Sequence, residues 1–339
     1  MKRTFNIIIA LGIAITSFAQ SAQWSVAPVY KSVEQLSTNL FRISGAEKVG
    51  VATSEGEILI DTIADVVTNL SEGYALAINK EKKKVRLLAV ISENGKVKEI
   101  SEELYSDDVP CFANGKLLAK NKKNKYGYLN QKGAFSLSEE AANEAKAISK
   151  NKGKATADSV AQAIAVTPDG PMPFAMTERD VAKYGYKNGE YIVLPPQFVS
   201  AQPFIGDHAI AETETGVGVL KLTPKAFTCK QTTAVMDAGM ESTVHTSSIP
   251  ENKDAVLIMK CVDSTGMTFE SEGKKKGSNM LFELSTFRER RTFTVIATDA
   301  KGSLVLWNSN YDNPEPKSQG KAKPAKPAKA KPKAKKKKK

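Results

Sequence analysis

Lys183-Tyr-Gly-Tyr-Lys-Asn-Gly189-Glu-Tyr-Ile-Val-Leu-Pro-Pro-Gln-Phe198 restates Lys125-Tyr-Gly-Tyr-Leu-Asn-Gln-Lys-Gly133-Ala-Phe135 in slightly altered words. A phrase spelled twice in one chain is the mark of a repeat architecture. Three further stretches fit the same template. Lys48-Val-Gly50-Val leads into Gly56-Glu-Ile-Leu-Ile60, Leu88-Ala-Val-Ile-Ser-Glu-Asn-Gly95 carries Ala89 in place of the first glycine, and Val217-Gly218-Val219 begins a truncated copy. By subtraction, Gly56, Gly95 and Gly133 lie 39 and 38 residues apart, within the range of repeat periods.

A second element recurs between the glycine pairs. Leu70-Ser-Glu-Gly73-Tyr-Ala-Leu-Ala77, Phe112-Ala-Asn-Gly115-Lys-Leu-Leu-Ala119 and Phe204-Ile-Gly-Asp207-His-Ala-Ile-Ala211 align without a gap. Their fifth position holds Tyr74, Lys116 or His208, a tolerance that predicts an exposed site. Aromatic and β-branched runs such as Glu190-Tyr-Ile-Val-Leu194 suit a pleated, half-buried surface. The Asn- and Gly-rich stretches between them tolerate the positive φ of tight turns, so each unit reads as a β-hairpin. One hairpin buries too little to stand alone, and stacked neighbours supply the rest. An open array and a closed ring both satisfy this pattern.

These residues resemble the WG-repeat family of bacterial proteins, whose units follow a pattern like G-[WFY]-x-[NKD]-x-x-G-x-[WF]-x-I-P-P-Q-[FY]-x-x-[AV]-x-x-F. The copy from Lys183 to Ala211 matches best, through Pro195-Pro196-Gln197-Phe198 and Ala201-Gln-Pro-Phe204. No copy keeps the eponymous tryptophan. The resemblance covers about residues 45–225 and implies a β-rich repeat array used for interaction or scaffolding, with no particular reaction.

From Gly133 to Gly189 the spacing stretches to 56 residues. Ser136-Leu-Ser-Glu139 has the form of a capping box, and the alanine-rich run to Ile148 favours helix. With Ala155–Ala165 it predicts a helical hairpin inserted over residues 136–165. Such an insertion often marks the binding face of an array, and mere decoration fits the sequence equally well.

The ends of the chain point to a compartment. Lys2-Arg3, an apolar run from Phe5 to Ile15 and Thr16-Ser17-Phe18-Ala19 form a secretory signal peptide over residues 1–19. The run is shorter than the about 20 residues a membrane span needs. Residues 20–44 read as a lead-in. At the other end, Pro316–Lys339 holds twelve lysines and no acidic residue, in a chain of net charge +12, so the rest sums to zero. Residues 314–339 are too rich in Lys, Ala and Pro to bury a core and read as a disordered tail. Lys321, Lys323, Lys326, Lys335, Lys336, Lys337, Lys338 and Lys339 are its candidate polyanion contacts, with a plain solubility or spacer tail as the other reading.

Residues 226–313 show seven short strand-like runs separated by turns such as Asp263-Ser-Thr-Gly266, Gly273-Lys-Lys-Lys-Gly277 and Asp299-Ala-Lys-Gly302. Their spacing predicts a β-sandwich, and the order resembles immunoglobulin-like or fibronectin-type-III-like modules. Cys229 and Cys261 fall on different runs of it; a bridge between them that leaves Cys111 over, and three small buried thiols, are both compatible with the sequence.

Motifs of catalysis or metal binding are absent. His208 and His245 have no partner at ligand spacing, and no H-E-x-x-H, paired Cys-x-x-Cys or G-x-S-x-G occurs. No cofactor is expected. Tyr126, Tyr128, Tyr184, Tyr186 and Tyr191 are candidates for stacking against sugars, with hairpin core packing as the more ordinary reading. Asp61-Thr62-Ile63, Asp158-Ser159-Val160 and Asp263-Ser264-Thr265 resemble the sequon of a bacterial periplasmic O-glycosylation system, which marks Thr62, Ser159 and Ser264. The expectation is a mainly β, exported, non-enzymatic binding or scaffold protein of the bacterial envelope. The array would contact a protein or glycan, the tail an anionic polymer. Nucleic-acid binding through the tail and an envelope hydrolase are the alternatives.

Overall fold

A computed structural model describes residues 20–82, 84–151, 168–178, 180–236, 239–246, 254–263, 265–277, 279–286, 291–311 and 313. The expected leader, the second expected helix and the lysine-rich tail lie outside them. The described chain is mainly β, as the sequence predicts, with six antiparallel sheets and one α-helix.

The N-terminal strand β1 (Ser21–Tyr30) is followed by five hairpin units. Unit 1 is β2 (Ser32–Gln35), β3 (Leu40–Ser44), β4 (Val49–Thr53) and β5 (Ile58–Ala64). Unit 2 is β6 (Val66–Val67), β7 (Tyr74–Glu81), β8 (Lys84–Ser92) and β9 (Val97–Glu99). Unit 3 is β10 (Leu104–Ser106), β11 (Lys116–Asn121), β12 (Tyr126–Asn130) and β13 (Phe135–Leu137), joined to unit 2 by the pairing of β10 with β8. Helix α1 (Glu139–Asn151) comes next. Unit 4 is β14 (Met172–Glu178), β15 (Val181–Asn188) and β16 (Tyr191–Phe198). Unit 5 is β17 (Ser200–Ala201), β18 (His208–Thr213) and β19 (Gly216–Thr223).

Unit 5 borrows its fourth strand from the other end of the chain. Strand β1 pairs antiparallel with β19, from Ser21 opposite Thr223 to Tyr30 opposite Val217. This completes the copy that looks truncated in sequence. The stretch expected as a lead-in therefore carries β1, β2 and β3, all paired into the sheets.

Both glycine sets have a physical reason. Gly56, Gly95 and Gly133 have φ of 89°, 76° and 78°, conformations that side chains resist. Each closes the same turn: its N–H donates to the carbonyl three residues back, in Thr53, Ser92 or Asn130, at 2.9–3.0 Å. The side-chain oxygen of that same residue accepts the N–H of Glu57, Lys96 or Ala134 at 3.0–3.1 Å. This is the three-residue hairpin loop in which a type I turn ends in a left-handed residue. The other set lies where two strands press together. A Cβ on Gly185 or on Gly218 would come within 2.6 Å of the Leu194 or Val26 carbonyl oxygen, and Gly50 and Gly127 are as tightly opposed. At Gly50, Gly185 and Gly218 the ladder also slips register. In unit 2 the position is Ala89, and β8 and β9 pair there without a slip.

The second repeated element is a two-residue turn. Glu72 and Gly73, and again Asn114 and Gly115, all have positive φ, the type I′ geometry that matches strand twist. The Glu72 carboxylate accepts the N–H groups of Asn114 and Gly115, at 2.6 and 2.8 Å, tying one unit's turn to the next. Asp169 does likewise for Gly206 at 2.7 Å.

Apolar clusters fill the seams. Leu40, Ile60, Ala75 and Ile91 join units 1 and 2, while Leu76, Leu87, Leu104 and Leu117 join units 2 and 3. Val26, Phe41, Ile43, Ile210 and Val219 join unit 5 to unit 1. In space the units run 4–5–1–2–3, an order set by the β1–β19 pairing.

Strands β20 (Cys229–Met236), β21 (Gly239–Thr246), β22 (Val256–Asp263), β23 (Thr268–Glu272), β24 (Lys274–Lys276), β25 (Asn279–Thr286), β26 (Arg291–Asp299) and β27 (Gly302–Asn308) make two sheets. Their orders are β20-β21-β25-β24 and β23-β22-β26-β27. Seven of these strands match expected runs. The eighth, β24, is the lysine triplet read from sequence as part of a turn; it pairs with β25, and the turn begins at Gly277 (φ 67°). Cys229 is half-buried in one sheet and Cys261 is buried in the other.

One core runs without a break from this sandwich into units 4 and 5, through Phe282, Val295, Trp307, Trp24, Phe198 and Tyr186. Trp24 of β1 meets Phe198 edge-on at 5.9 Å and donates its indole N–H to the Ser303 carbonyl at 3.1 Å. Gln197, from the Pro-Pro-Gln-Phe phrase, acts as a strand-like clamp. Its amide donates to the Val305 carbonyl at 2.9 Å and accepts the Val305 N–H at 2.8 Å.

The seam between units 5 and 1 overturns one expectation. His208 is buried, only 6% exposed, where an exposed residue was expected, because unit 1 covers it. Its ring tilts against Phe41 at 6.1 Å, and Nδ1 lies 2.5 Å from Asp207. Across the strand stands Lys221, which grips Glu55 of unit 1 at 2.6 Å. Burial pushes the His208 pKa down, and Lys221 adds to that, against the opposing pulls of Asp207, the Ser54 carbonyl and Glu55.

Two outcomes test this fold. Gly185→Ala forces a Cβ onto the Leu194 carbonyl and should cost about 1–3 kcal/mol in urea unfolding, whereas Ala89→Gly should cost only about 0.5–1 kcal/mol. The depressed His208 pKa means that the unfolded chain takes up a proton the native state refuses. Stability is thus full above the unfolded value of about 6.5 and is lost as pH falls through the lower folded value. His208→Gln should flatten that part of the stability–pH curve; an unaltered slope would show that His208 does not set it.

Candidate functional site

Strands β11 and β12 of unit 3 alternate strictly between two environments. Leu117, Ala119 and Leu129 point into the core shared with unit 2. Lys116, Leu118 and Lys120 lie on the other face, opposite Asn130, Tyr128 and Tyr126. Helix α1 leans over that second face. Its cap is Ser138, two residues later than the capping box suggested. The Ser138 Oγ accepts the Ala141 N–H at 3.4 Å and its carbonyl accepts the Ala142 N–H at 3.2 Å. Ser136 instead belongs to β13, which occupies the residues where the box would have begun. Glu139 and Glu140 sit in the first turn, where the helix dipole favours negative charge.

The helix carries an apolar stripe at Ala141, Ala145 and Ile148, spaced by four and three residues. Ala141 is fully buried, yet Ile148 is 43% exposed. The helix therefore meets the sheet at its start and parts from it toward its end. The opening is a cleft of about 770 Å³, in the range of ligand-binding cavities. Its third wall is the loop from Ser106 to Cys111, where Val109 is 61% exposed and Cys111 presents an accessible thiol.

Asp107 and Glu144 pair the cleft's tyrosine hydroxyls. Asp107 takes the Lys120 ammonium on one oxygen and the Tyr126 hydroxyl on the other, the latter at 2.8 Å. Glu144 of α1 accepts the Tyr128 hydroxyl at 2.6 Å. The Lys116 ammonium stands 5.0 Å above the Tyr128 ring and that of Lys120 stands 5.7 Å from the Tyr126 ring, both within cation–π range. At the edge, Tyr105 donates to Glu103 and lies under the Lys84 ammonium. The Glu144 carboxylate pushes the Tyr128 pKa up to about 12, because it accepts from the neutral phenol and repels the phenolate. Tyr126 is raised as well, by burial first and then by Asp107. With Asp108 and Glu140 also lining it, the cleft sets four carboxylates against Lys116 and the neighbouring Lys120.

The expected aromatic platform divides in two. Tyr126 and Tyr128 line the cleft. Tyr186 is fully buried, wedged between Phe198 and Phe204 at 5.7 and 4.8 Å, with its hydroxyl on the Gln202 carbonyl at 2.9 Å. Tyr184 and Tyr191 pack against the same core. Thr62 lies half-buried within β5, its N–H bonded to the Asp61 carboxylate at 2.7 Å. Ser159, Ser264 and the eight tail lysines (Lys321, Lys323, Lys326 and Lys335 to Lys339) lie outside the described residues. Asp107 and Glu144 escaped the sequence reading, and Cys111, read there as a small buried thiol, is exposed on the loop that walls the cleft. The Ala141–Ala145–Ile148 stripe was the available signal for a helix face turned to a cleft. Among the described residues no group of three or more metal-ligating side chains occurs, and no helix is long and apolar enough to cross a membrane.

No family model and no curated protein matches the chain. Among solved structures, the crystal structure of BamB from Moraxella catarrhalis is weakly similar. It matches at 13% identity over 86% of this chain and 75% of that one, with a TM-score of 0.18.

The Tyr128–Glu144 bond gives the cleft a spectroscopic handle. In Glu144→Gln the Tyr128 ionisation should move from about 12 toward the ordinary tyrosine value near 10 in an ultraviolet pH titration. A titration identical to that of the parent protein would show that α1 does not hold this ring.

Proposed function

We propose that this chain is an exported, non-enzymatic binding or scaffold protein of the bacterial envelope, built from WG-like repeats. Its array contacts a protein or glycan partner, and its lysine-rich tail adds electrostatic retention on anionic polymers. The observation that carries this reading is the cleft beside α1. It lies where the repeat spacing is interrupted, and it sets exposed apolar residues (Val109 and Ile148) next to ordered tyrosine, lysine and carboxylate groups. Concave sites with an apolar lining and a few fixed polar groups are where ligands bind. The Tyr126 and Tyr128 hydroxyls and the Lys120 ammonium each already have a carboxylate partner, which favours recognition over acid–base chemistry.

The test is retention of partners from envelope extracts by the full chain, compared with Ala145→Arg, which places a bulky cation in the cleft. The expected result is a partner whose affinity falls at least about tenfold in the variant, equivalent to about 1.4 kcal/mol. Equal capture by both proteins would remove the cleft from the reading.

A further inference from the structure

The units of the array share a polarity. Gly50, Ala89, Gly127 and Gly218 are each followed, two residues on and so on the same strand face, by a buried apolar side chain: Ala52, Ile91, Leu129 and Leu220. Those four enter the seams with units 5, 1, 2 and 4 respectively. The next residue after the glycine position lies on the opposite face. There Val51, Val90 and Val219 enter the seams with units 2, 3 and 1. A glycine face thus meets the unit before it in the order 4–5–1–2–3, and the opposite face meets the unit after it.

Two faces are left over, one at each end. Among the described residues no buried cluster joins unit 3 to unit 4. Unit 3 offers its tyrosine face, the floor of the cleft. Unit 4 turns Tyr186 toward unit 5 and offers its glycine face, where Lys187 replaces the usual apolar residue. On that face β14 sets Met172 opposite Lys187, Phe174 opposite Gly185 and Met176 opposite Lys183. Met172 and Met176 are 47% and 43% exposed. The end unit of an array ordinarily has a polar outer face, and an apolar patch in its place marks a contact surface. Pro173 blunts the free edge of β14, which leaves the face for that contact.

The two ends are complementary in charge. The cleft sets four carboxylates against two lysines, beside exposed Val109 and Ile148. The unit 4 face sets Lys183, which also meets Glu214 at 3.3 Å, and Lys187, 5.7 Å from the Phe174 ring, among methionines. Unbranched methionine side chains fill irregular gaps. We infer that the glycine face of unit 4 stacks on the tyrosine face of unit 3 in a second copy of this chain. Met172 and Met176 enter the mouth of the cleft, and Lys187 meets the carboxylates of Glu140 and Glu144. The contact repeats between molecules the polarity of the seams within one. Because it joins unlike surfaces, it adds molecules head to tail instead of closing a two-fold dimer. It rests on the cleft being a binding site, as proposed above, and gives that site a partner.

Sedimentation velocity of the full chain over a range of concentrations provides the test. The parent protein should pass from monomer to dimer and then to longer species as concentration rises. Met176→Asp spoils the unit 4 end and Ala145→Arg spoils the unit 3 end. Each variant alone should associate at least about tenfold more weakly, since one buries a charge among methionines and the other obstructs the cleft. Mixed in equal amounts, they should form a one-to-one dimer that grows no further, because each keeps the end the other has lost. That recovery also shows that both variants are folded. A parent protein that stays monomeric, or a mixture that stays monomeric, would overturn the head-to-tail contact. Capture of an envelope partner by Met176→Asp, whose cleft is unaltered, would then leave the binding role of the cleft standing.

Discussion

The antiparallel ladder between β1 and β19 holds the rest of the molecule in place. It joins residues about two hundred positions apart, and the closure entropy of so long a loop grows only slowly with its length. Much of the packing depends on it. Through β1, Trp24 reaches the sandwich and Phe198, while Val26 enters the seam with unit 1. Without the ladder, unit 5 would end at three strands and unit 1 would have no neighbour on its N-terminal side. Gly218 makes the contact sterically open, since any side chain there would strike the backbone at Val26 and Pro28.

The repeated phrase has different outcomes in different units because its neighbours differ. In both Tyr-Gly-Tyr copies the glycine faces the close-packed side and the tyrosines face the other, as the two-residue period of a strand requires. Over unit 4 the tyrosine face is covered by Phe198 and Phe204, so Tyr186 becomes core. Over unit 3 it is covered only in part, by α1, so Tyr126 and Tyr128 become the floor of a cleft. The same holds for the position shared by Tyr74, Lys116 and His208. Tyr74 packs on Phe112 and Lys116 lies over Tyr128, while His208 is sealed under unit 1. A repeat motif sets the direction of a side chain; the adjoining unit decides its burial.

This difference explains what could be read from the sequence. Turn glycines such as Gly56 and Gly133 were legible because positive φ is a local demand, written into one residue. The hairpin succession and the strand-rich segment after residue 225 were legible through spacing. Strand β1 was not, because its partner lies at the far end of the repeats and it carries no copy of the phrase. The cap of α1 was misplaced by two residues because Ser136 and Ser138 offer the same chemistry, and β13 claims the first. The cleft was legible only as an interruption in spacing, since Asp107 and Glu144 gain their meaning from tyrosines they meet in space.

The borrowed strand also imposes an order of events during biosynthesis. A ribosome makes Ser21–Tyr30 well before Gly216–Thr223, so the earlier strand waits unpaired while the units between them are translated. Its apolar face and open backbone edge are in that interval a template for wrong partners. Birth of the native protein thus depends on keeping β1 unattached until β19 has been made.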